Sequence, residues 1–199
     1  MKPDRIVLAS GSPRRKQLLE QVGMKFDIIV SDVEEIVTKT LPKDVVCELS
    51  AQKAQAVYDR LEDTKNVLVI GADTVVSAEN RILGKPHDRD DAFRMLKLIQ
   101  GESHSVFTGV TLIHNDTAET FAVETKVHVM PMTDEQIYAY IDTKEPMDKA
   151  GAYGIQGRFA AYVSGIDGDY NNVVGLPVAA ICDKLRSCLL YTSDAADDL

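Results

Sequence analysis

No apolar run in this chain approaches the ~20 residues that a membrane-spanning helix needs, because charges or glycines break every long stretch. The start, MKPDRIVLAS, has no apolar signal-peptide core. Together these absences point to a soluble, non-exported protein with no membrane partner. Cysteine is scarce: Cys47, Cys182 and Cys188 are odd in number and lack metal-ligand spacing. That argues against a disulfide framework and suits a reducing, cytoplasmic compartment. Positive charge is in deficit, with 22 Lys and Arg against 31 Asp and Glu and a formal net charge of -9. A chain of that balance does not suit the coating of nucleic acid, which needs a basic field, so any anionic ligand must be held by a local basic cluster. There is no GxxxxGK[ST] loop, which removes support for a P-loop machine. His87, His104, His114 and His128 lack metal spacing and are read as structural or surface residues. No repeat of solenoid period is visible.

What is present is enough for one core: 199 residues, 45% of them hydrophobic. The pattern predicts a strand over 6–9 and a helix from Pro13 to about Val22, with Ser12 as N-cap. A strand over 26–30 leads to an acidic loop, then to a long helix over 42–61. The near-continuous apolar run 67–76 predicts a strand buried on both faces. A short arm over 81–86 and a helix over 88–99, ended by Gly101, follow. Residues 106–130 read as two alternating strands turning at Asn115 and Asp116. Thr133 and Gln136 form a capping box opening a helix to about Thr143. The glycine-rich AGAYGIQG precedes a last strand near Tyr162 and Ile166, and LPVAAICDKLR closes as a helix. Strands mixed with helices and a hairpin indicate an α/β fold with a mixed sheet. The segment 189–199, LLYTSDAADDL, supplies no amphipathic face after the basic end at Lys184 and Arg186. It reads as a non-native extension or a disordered tail beyond a single domain over 1–188.

Several residues look wrong for structure alone. A helix N-terminus carries partial positive charge, yet Arg14 and Arg15 occupy the first turn of the first helix. After a Gly-Ser loop, two guanidinium groups beside free backbone N–H groups form an anion site. A solvated basic helix start, with Arg15 paired to an acid, is the equal alternative. Lys53 falls on the apolar stripe Val46, Leu49, Val57 and Leu61, so its ammonium either snorkels to the surface or points into a cleft. Asp73 interrupts VLVIGADTVV, where a lone buried carboxylate is costly unless paired, hydrogen-bonded or metal-bound. Thr74 follows it. Glu34, Glu35 and Lys85 add two carboxylates and an ammonium. Cation clamps, acids able to hold a metal and a base for water are what phosphoanhydride hydrolysis requires.

The ordered motifs LASGSPRR, LSAQKA, GADTVV, LGKP, GESHSVFTG, DKAGAYGIQG and VVGLP resemble the Maf family of nucleotide pyrophosphatases over about residues 5–186. The resemblance implies a two-lobed α/β fold of the inosine-triphosphatase (Maf/Ham1) type, with a long mixed sheet flanked by helices. It also implies a magnesium or manganese ion, a nucleoside triphosphate substrate and a homodimer. It makes Asp73 the general base or metal-bound carboxylate and Glu35 a second acid and metal ligand, with Glu34 able to exchange with Glu35. Arg15, Lys53 and Lys85 would hold the triphosphate, Ser10 and Ser12 would sit in the phosphate loop, and Gln156 would face the base or sugar. Arg14, Thr74 and Gln156 match the branch acting on dTTP and UTP, where a 7-methyl-GTP branch carries tryptophan, glutamine and glutamate. The expected activity is release of pyrophosphate from dTTP, UTP or modified uridine triphosphates, in nucleotide house-cleaning. The alternatives are a nucleotide-sensing regulator of septum formation and, more weakly, nucleic-acid binding through Arg14, Arg15 and Lys16.

Overall fold

The long apolar run becomes the spine of the molecule. The computed structural model describes residues 3–194 of the chain. In it β1 (Arg5–Leu8) runs parallel to β3 (Val67–Ala78), with Val7 opposite Val69. On its other edge β3 pairs antiparallel with β5 (Ser103–His114), which in turn pairs with β6 (Thr117–Val129). The sheet is completed by β2 (Asp27–Ile28) at one edge and β7 (Val163–Asp167) at the other, with β4 (Arg81–Leu83) on the end of β3. The result is a seven-stranded mixed sheet in the order β2-β1-β3-β5-β6-β7.

Side chains alternate across a strand, so the continuous apolar run of β3 needs cover on both faces. Val67 and Val69 pack under α2 (Pro42–Tyr58), against Ala54, Val57 and Tyr58. Leu68, Ile70, Ala72 and Val76 face the larger core. That core is supplied by α1 (Pro13–Gln21), α3 (Arg89–Ile99), α4 (Asp134–Asp142) and α6 (Val178–Asp194). In α3 the spacing Ala92, Met95, Leu96, Ile99 puts one stripe inward, and fully burying a Leu or Ile there is worth roughly 1.5–3 kcal/mol. Asp88 caps α3 by accepting from Asp91 N at 2.8 Å, and the Thr133–Gln136 capping box opens α4 as expected. The β5–β6 hairpin turns at Asn115 and Asp116, both with positive φ, as a two-residue hairpin turn of the primed kind requires.

Two glycines determine how close α2 lies to the sheet. A Cβ at Gly71 would stand 2.5 Å from the Ser50 carbonyl oxygen, and one at Gly109 would overlap the Val46 carbonyl. The backbone of α2 therefore rests directly on β3 and β5. Ser50 Oγ and Thr111 Oγ1 close the contact at 2.9 Å.

Some boundaries differ from expectation. The second strand is two residues long and exposed, because Phe26 turns into the core instead of extending the edge. The long helix ends at Tyr58, not at Leu61. A short α5 (Tyr170–Val174), capped by Asp169 on Asn171 N at 2.7 Å, was not expected. The final helix continues past Arg186 to Asp194, since LLYTSD contains neither glycine nor proline to stop it. Of the expected tail, residues 195–199 lie outside the described residues.

Gly109→Ala should lift α2 from the sheet and cost about 1–3 kcal/mol or more by overpacking. Urea unfolding measures it; a midpoint unchanged from wild type would mean the contact is not tight.

Candidate active site

Midway along β3 the burial relaxes at two adjacent positions, Asp73 and Thr74. Being neighbours on a strand, they point to opposite faces, Asp73 toward α2 and Thr74 toward α1 and α5. A cleft of about 860 Å³ opens around them. It takes in the start of α1, Lys53 of α2, Lys85 after β4, the residues 145–157 after α4, and Gly175 after α5.

Lys53 occupies the centre of the charge arrangement. Its Nζ lies 2.6 Å from Asp73 Oδ1 and 2.9 Å from Glu35 Oε1. The Lys53 and Asp73 side chains are only 17% and 13% exposed, so each relieves the desolvation cost of the other. Lys53 thus points into the cleft, the more specific of its two sequence readings. Glu35 arrives from a segment without regular structure that α2 itself pins. Gln52 exchanges two hydrogen bonds with the backbone of Ile36, and Glu48 accepts from Thr38 N at 2.8 Å. Glu34 is exposed and does not line the cleft, so Glu35 is the acid brought to Lys53.

Arg15 is the other interior cation, and its surroundings differ from the carboxylate pairing considered for it. Nε donates to Gly175 O at 2.9 Å, one terminal nitrogen to Ser10 Oγ at 3.1 Å and the other to Thr74 Oγ1 at 3.1 Å. All three acceptors are neutral. Burial lowers its pKa, Asp73 opposes the shift, and the guanidinium keeps its charge. Such an Arg cannot serve an external nucleic-acid backbone. Lys16 is turned toward Glu20 at 3.7 Å.

Ser10 is buried and commits its hydroxyl to Arg15 and to Ser12 N, while Ser12 itself lines the cleft. As N-cap of α1, Ser12 makes no side-chain capping bond. Pro13 has no N–H and Lys16 N donates to Ser12 O at 3.2 Å, which leaves the N–H groups of the cleft-lining Arg14 and Arg15 without a serine oxygen upon them. Thr74 Oγ1 also meets Thr108 Oγ1 at 2.9 Å. Arg14 reaches Asp148 across the opening at 3.9 Å. Lys85 and Gln156 line the cleft and make no hydrogen bond or ion pair among the described residues.

Sequence reasoning gave no role to Glu145, Asp148, Lys149 or Tyr153, all of which line the same cleft. The motif DKAGAYGIQG held three of them but offered no spacing that assigns a task. With them the wall carries five basic residues (Arg14, Arg15, Lys53, Lys85, Lys149) against four acids (Glu35, Asp73, Glu145, Asp148). In a chain of net charge -9 this is the local basic excess that an anionic ligand needs.

Behind the cleft, His104 Nε2 lies 2.7 Å from Tyr153 Oη, while its Nδ1 is buried without a partner among the described residues. His114 bonds Asn66 at 3.0 Å and His128 bonds Asp167 at 2.9 Å, so these histidines serve structure, as expected. Cys47 and Cys182 are free thiols. Among the described residues no three or more His, Cys, Asp or Glu gather into a metal cage, and no helix is long and apolar enough to cross a membrane.

Fold and cleft together define a class: an α/β protein whose cleft sets buried and free cations beside two carboxylates that share one ammonium. The Maf-like protein family model matches residues 5–188, and the chain belongs to that family. It is 51% identical over 196 residues to the dTTP/UTP pyrophosphatase of Agathobacter rectalis, covering 91% of this chain and 96% of the relative. To the dTTP/UTP pyrophosphatase of Bacillus anthracis it is 49% identical over 183 residues, covering 92% and 94%. Among solved structures, the Staphylococcus aureus Ham1 protein aligns at a TM-score of 0.44 and 14% identity, over 63% of this chain and 72% of that one.

Burial pushes the His104 pKa down to about 4 from an ordinary 6.5. The imidazole is neutral in both states above pH 6.5. Between pH 6.5 and 4 the unfolded chain gains a proton that the folded one refuses, so the folded state loses up to ~3 kcal/mol as pH falls. His104→Gln should remove that component. Urea midpoints compared from pH 7 to 4 test this, and parallel pH profiles for the two proteins would refute it.

Proposed function

We propose that this chain hydrolyses dTTP and UTP to the monophosphate and pyrophosphate. Modified uridine triphosphates belong to the same substrate class, which gives a house-cleaning role. The observation that carries the reading is the Lys53 ammonium held between Asp73 and Glu35 in a cleft whose other cations, Lys85 above all, stand ready for phosphate oxygens. The names of the relatives supply the base preference.

A triphosphate laid along the cleft meets Arg15 and the α1 N–H groups at one side and Lys53 and Lys85 at the other. Asp73 Oδ1 is held by Lys53, leaving Oδ2 to accept a proton from the attacking water. That water adds to the α-phosphorus, the bond to the α–β bridging oxygen breaks, and pyrophosphate leaves against Lys85 and Lys53. Glu35 and Asp73 each give one oxygen to the Lys53 ammonium, and their second carboxylate oxygens are hard donors that would hold a divalent cation whose shell phosphate oxygens and water complete. Magnesium or manganese held there would supply charge neutralisation and polarisation of the phosphoryl group. Gln156 carries base choice: its amide both donates and accepts, as the carbonyls and ring N–H of uracil or thymine require. Thr74 is engaged with Arg15 and Thr108, so it shapes the wall beside the base.

The same reading includes a cytoplasmic homodimer. Ile36, Val37 and Leu41 are more than half exposed and give apolar surface that a second copy would cover. The working unit is residues 1–188, and deletion of 189–199 should leave melting temperature and activity unchanged. A loss of either would make the last helical turns a native element.

The decisive assay is pyrophosphate release from a nucleotide panel with and without manganese. UTP and dTTP should be cut in preference to 7-methyl-GTP. Asp73→Asn should lower kcat by about 10²–10⁴-fold with the fold intact, since it removes a charge and little volume. Near-normal turnover in that variant refutes the role of Asp73, and a panel without any pyrophosphate release refutes hydrolysis and leaves nucleotide sensing.

A further inference from the structure

Gln156 sits in the middle of a five-residue loop, Gly154 to Arg158, closed on itself by Gly157 N donating to Gly154 O at 3.1 Å. The two ends of that loop are tied to two side chains outside it that bond to each other. At one end Gly154 N donates to Tyr140 Oη at 3.2 Å, and Tyr140 in turn donates to Glu145 Oε1 at 2.9 Å. At the other end Arg158 N donates to Glu145 Oε2 at 3.0 Å. One carboxylate and one phenol thus hold the loop at its first and last residues, and the glutamine is presented between them.

The two glycines of GIQG have the shape this arrangement demands. A Cβ on Gly157 would overlap the Glu145 carboxylate, and one on Gly154 would stand 2.8 Å from Lys149 Cε. Lys149 is itself anchored, its Nζ donating to Glu145 O at 2.8 Å and to Asp148 Oδ1 at 2.6 Å. Tyr140 is 3% exposed and rises from the buried face of α4, so the clamp is fixed to the core. Ile155 within the loop and Phe159 just after it, 8% and 0% exposed, anchor it to the core.

We infer that Tyr140 and Glu145 are positioning residues for base selection, acting through the loop that carries Gln156. The inference rests on the reading of Gln156 as the base contact and adds the residues that hold it in register. Neither Tyr140 nor Glu145 need touch the nucleotide. A hydrogen-bonding side chain is selective only where it is held, because a loop free to move lets its amide follow a wrong base as readily as the right one.

The test compares kcat/KM for UTP and for ATP in the wild type, Tyr140→Phe, Glu145→Gln, Gln156→Ala and the double variant Tyr140→Phe/Gln156→Ala, all below their melting temperatures. Tyr140→Phe removes one oxygen and Glu145→Gln one charge at constant volume, so two independent variants probe the clamp. Each should lower the UTP-to-ATP ratio by about tenfold, mostly by raising KM for UTP, with kcat on UTP little changed. In the Gln156→Ala background Tyr140→Phe should have no further effect on the ratio. If Gln156→Ala lowers the ratio but both clamp variants keep it, the clamp is overturned and the base contact stands. If clamp variants slow UTP and ATP equally, their role is structural only and the inference falls. If Gln156→Ala itself leaves the ratio unchanged, the base contact falls and the clamp with it.

Discussion

The site depends first on α2 lying directly on the sheet. Gly71 and Gly109 remove the two Cβ atoms that would hold the helix off, and the carbonyls of Ser50 and Val46 occupy that space. Lys53 is one turn beyond Ser50, so the same close approach lowers its ammonium onto Asp73. The outer face of α2 then carries Gln52 and Glu48, which hold the Ile36–Thr38 backbone and thereby present Glu35 to the same ammonium. One helix, set at one height, assembles the acid pair and its counter-charge.

The buried cations are supported by different chemistry. Lys53 has two carboxylates, so its charge is more than matched, with the half-exposed Glu35 supplying the surplus negative charge. Arg15 has three neutral oxygens and keeps its charge uncancelled, because a guanidinium cannot escape by losing a proton. It draws together α1, β3 and the turn after α5 while leaving unspent attraction for an anion in the cleft. The cleft therefore holds one cation whose charge is more than matched and one whose charge is not. The second exerts the stronger attraction on an anion.

How much of this could be read from the sequence follows from how local each signal is. Asp73 was legible because a single carboxylate broke an apolar strand, and Lys53 because it broke a helical stripe. Both anomalies lie within one element, and both residues stand together in the cleft. Arg15 was legible as a cation in the wrong place, but its neutral partners come from Ser10, Thr74 and Gly175, the last 160 residues away. Glu145 gave no signal at all. It follows a helix end, where acids are common, and its task exists only once residues 154–158 fold back over it. The strand β2 is shorter than its composition implies for a related reason: Phe26 reads as strand by composition, and only the tertiary core turns it inward.

Glycine shows the same division. Gly23 and Gly101 have positive φ and end helices, a requirement that the chain's own backbone sets and that a sequence reader can anticipate. Gly71, Gly109, Gly154 and Gly157 have no such conformation and are instead small because something from another element fills the Cβ position. The first two seat the helix that carries Lys53, and the last two seat the carboxylate and lysine that frame the glutamine loop. Read this way, GADT and GIQG are motifs about clearance as much as chemistry. A cleft-lining residue stands two positions after the glycine in each, Asp73 and Gln156, where a neighbouring element has been allowed close to the backbone that carries it.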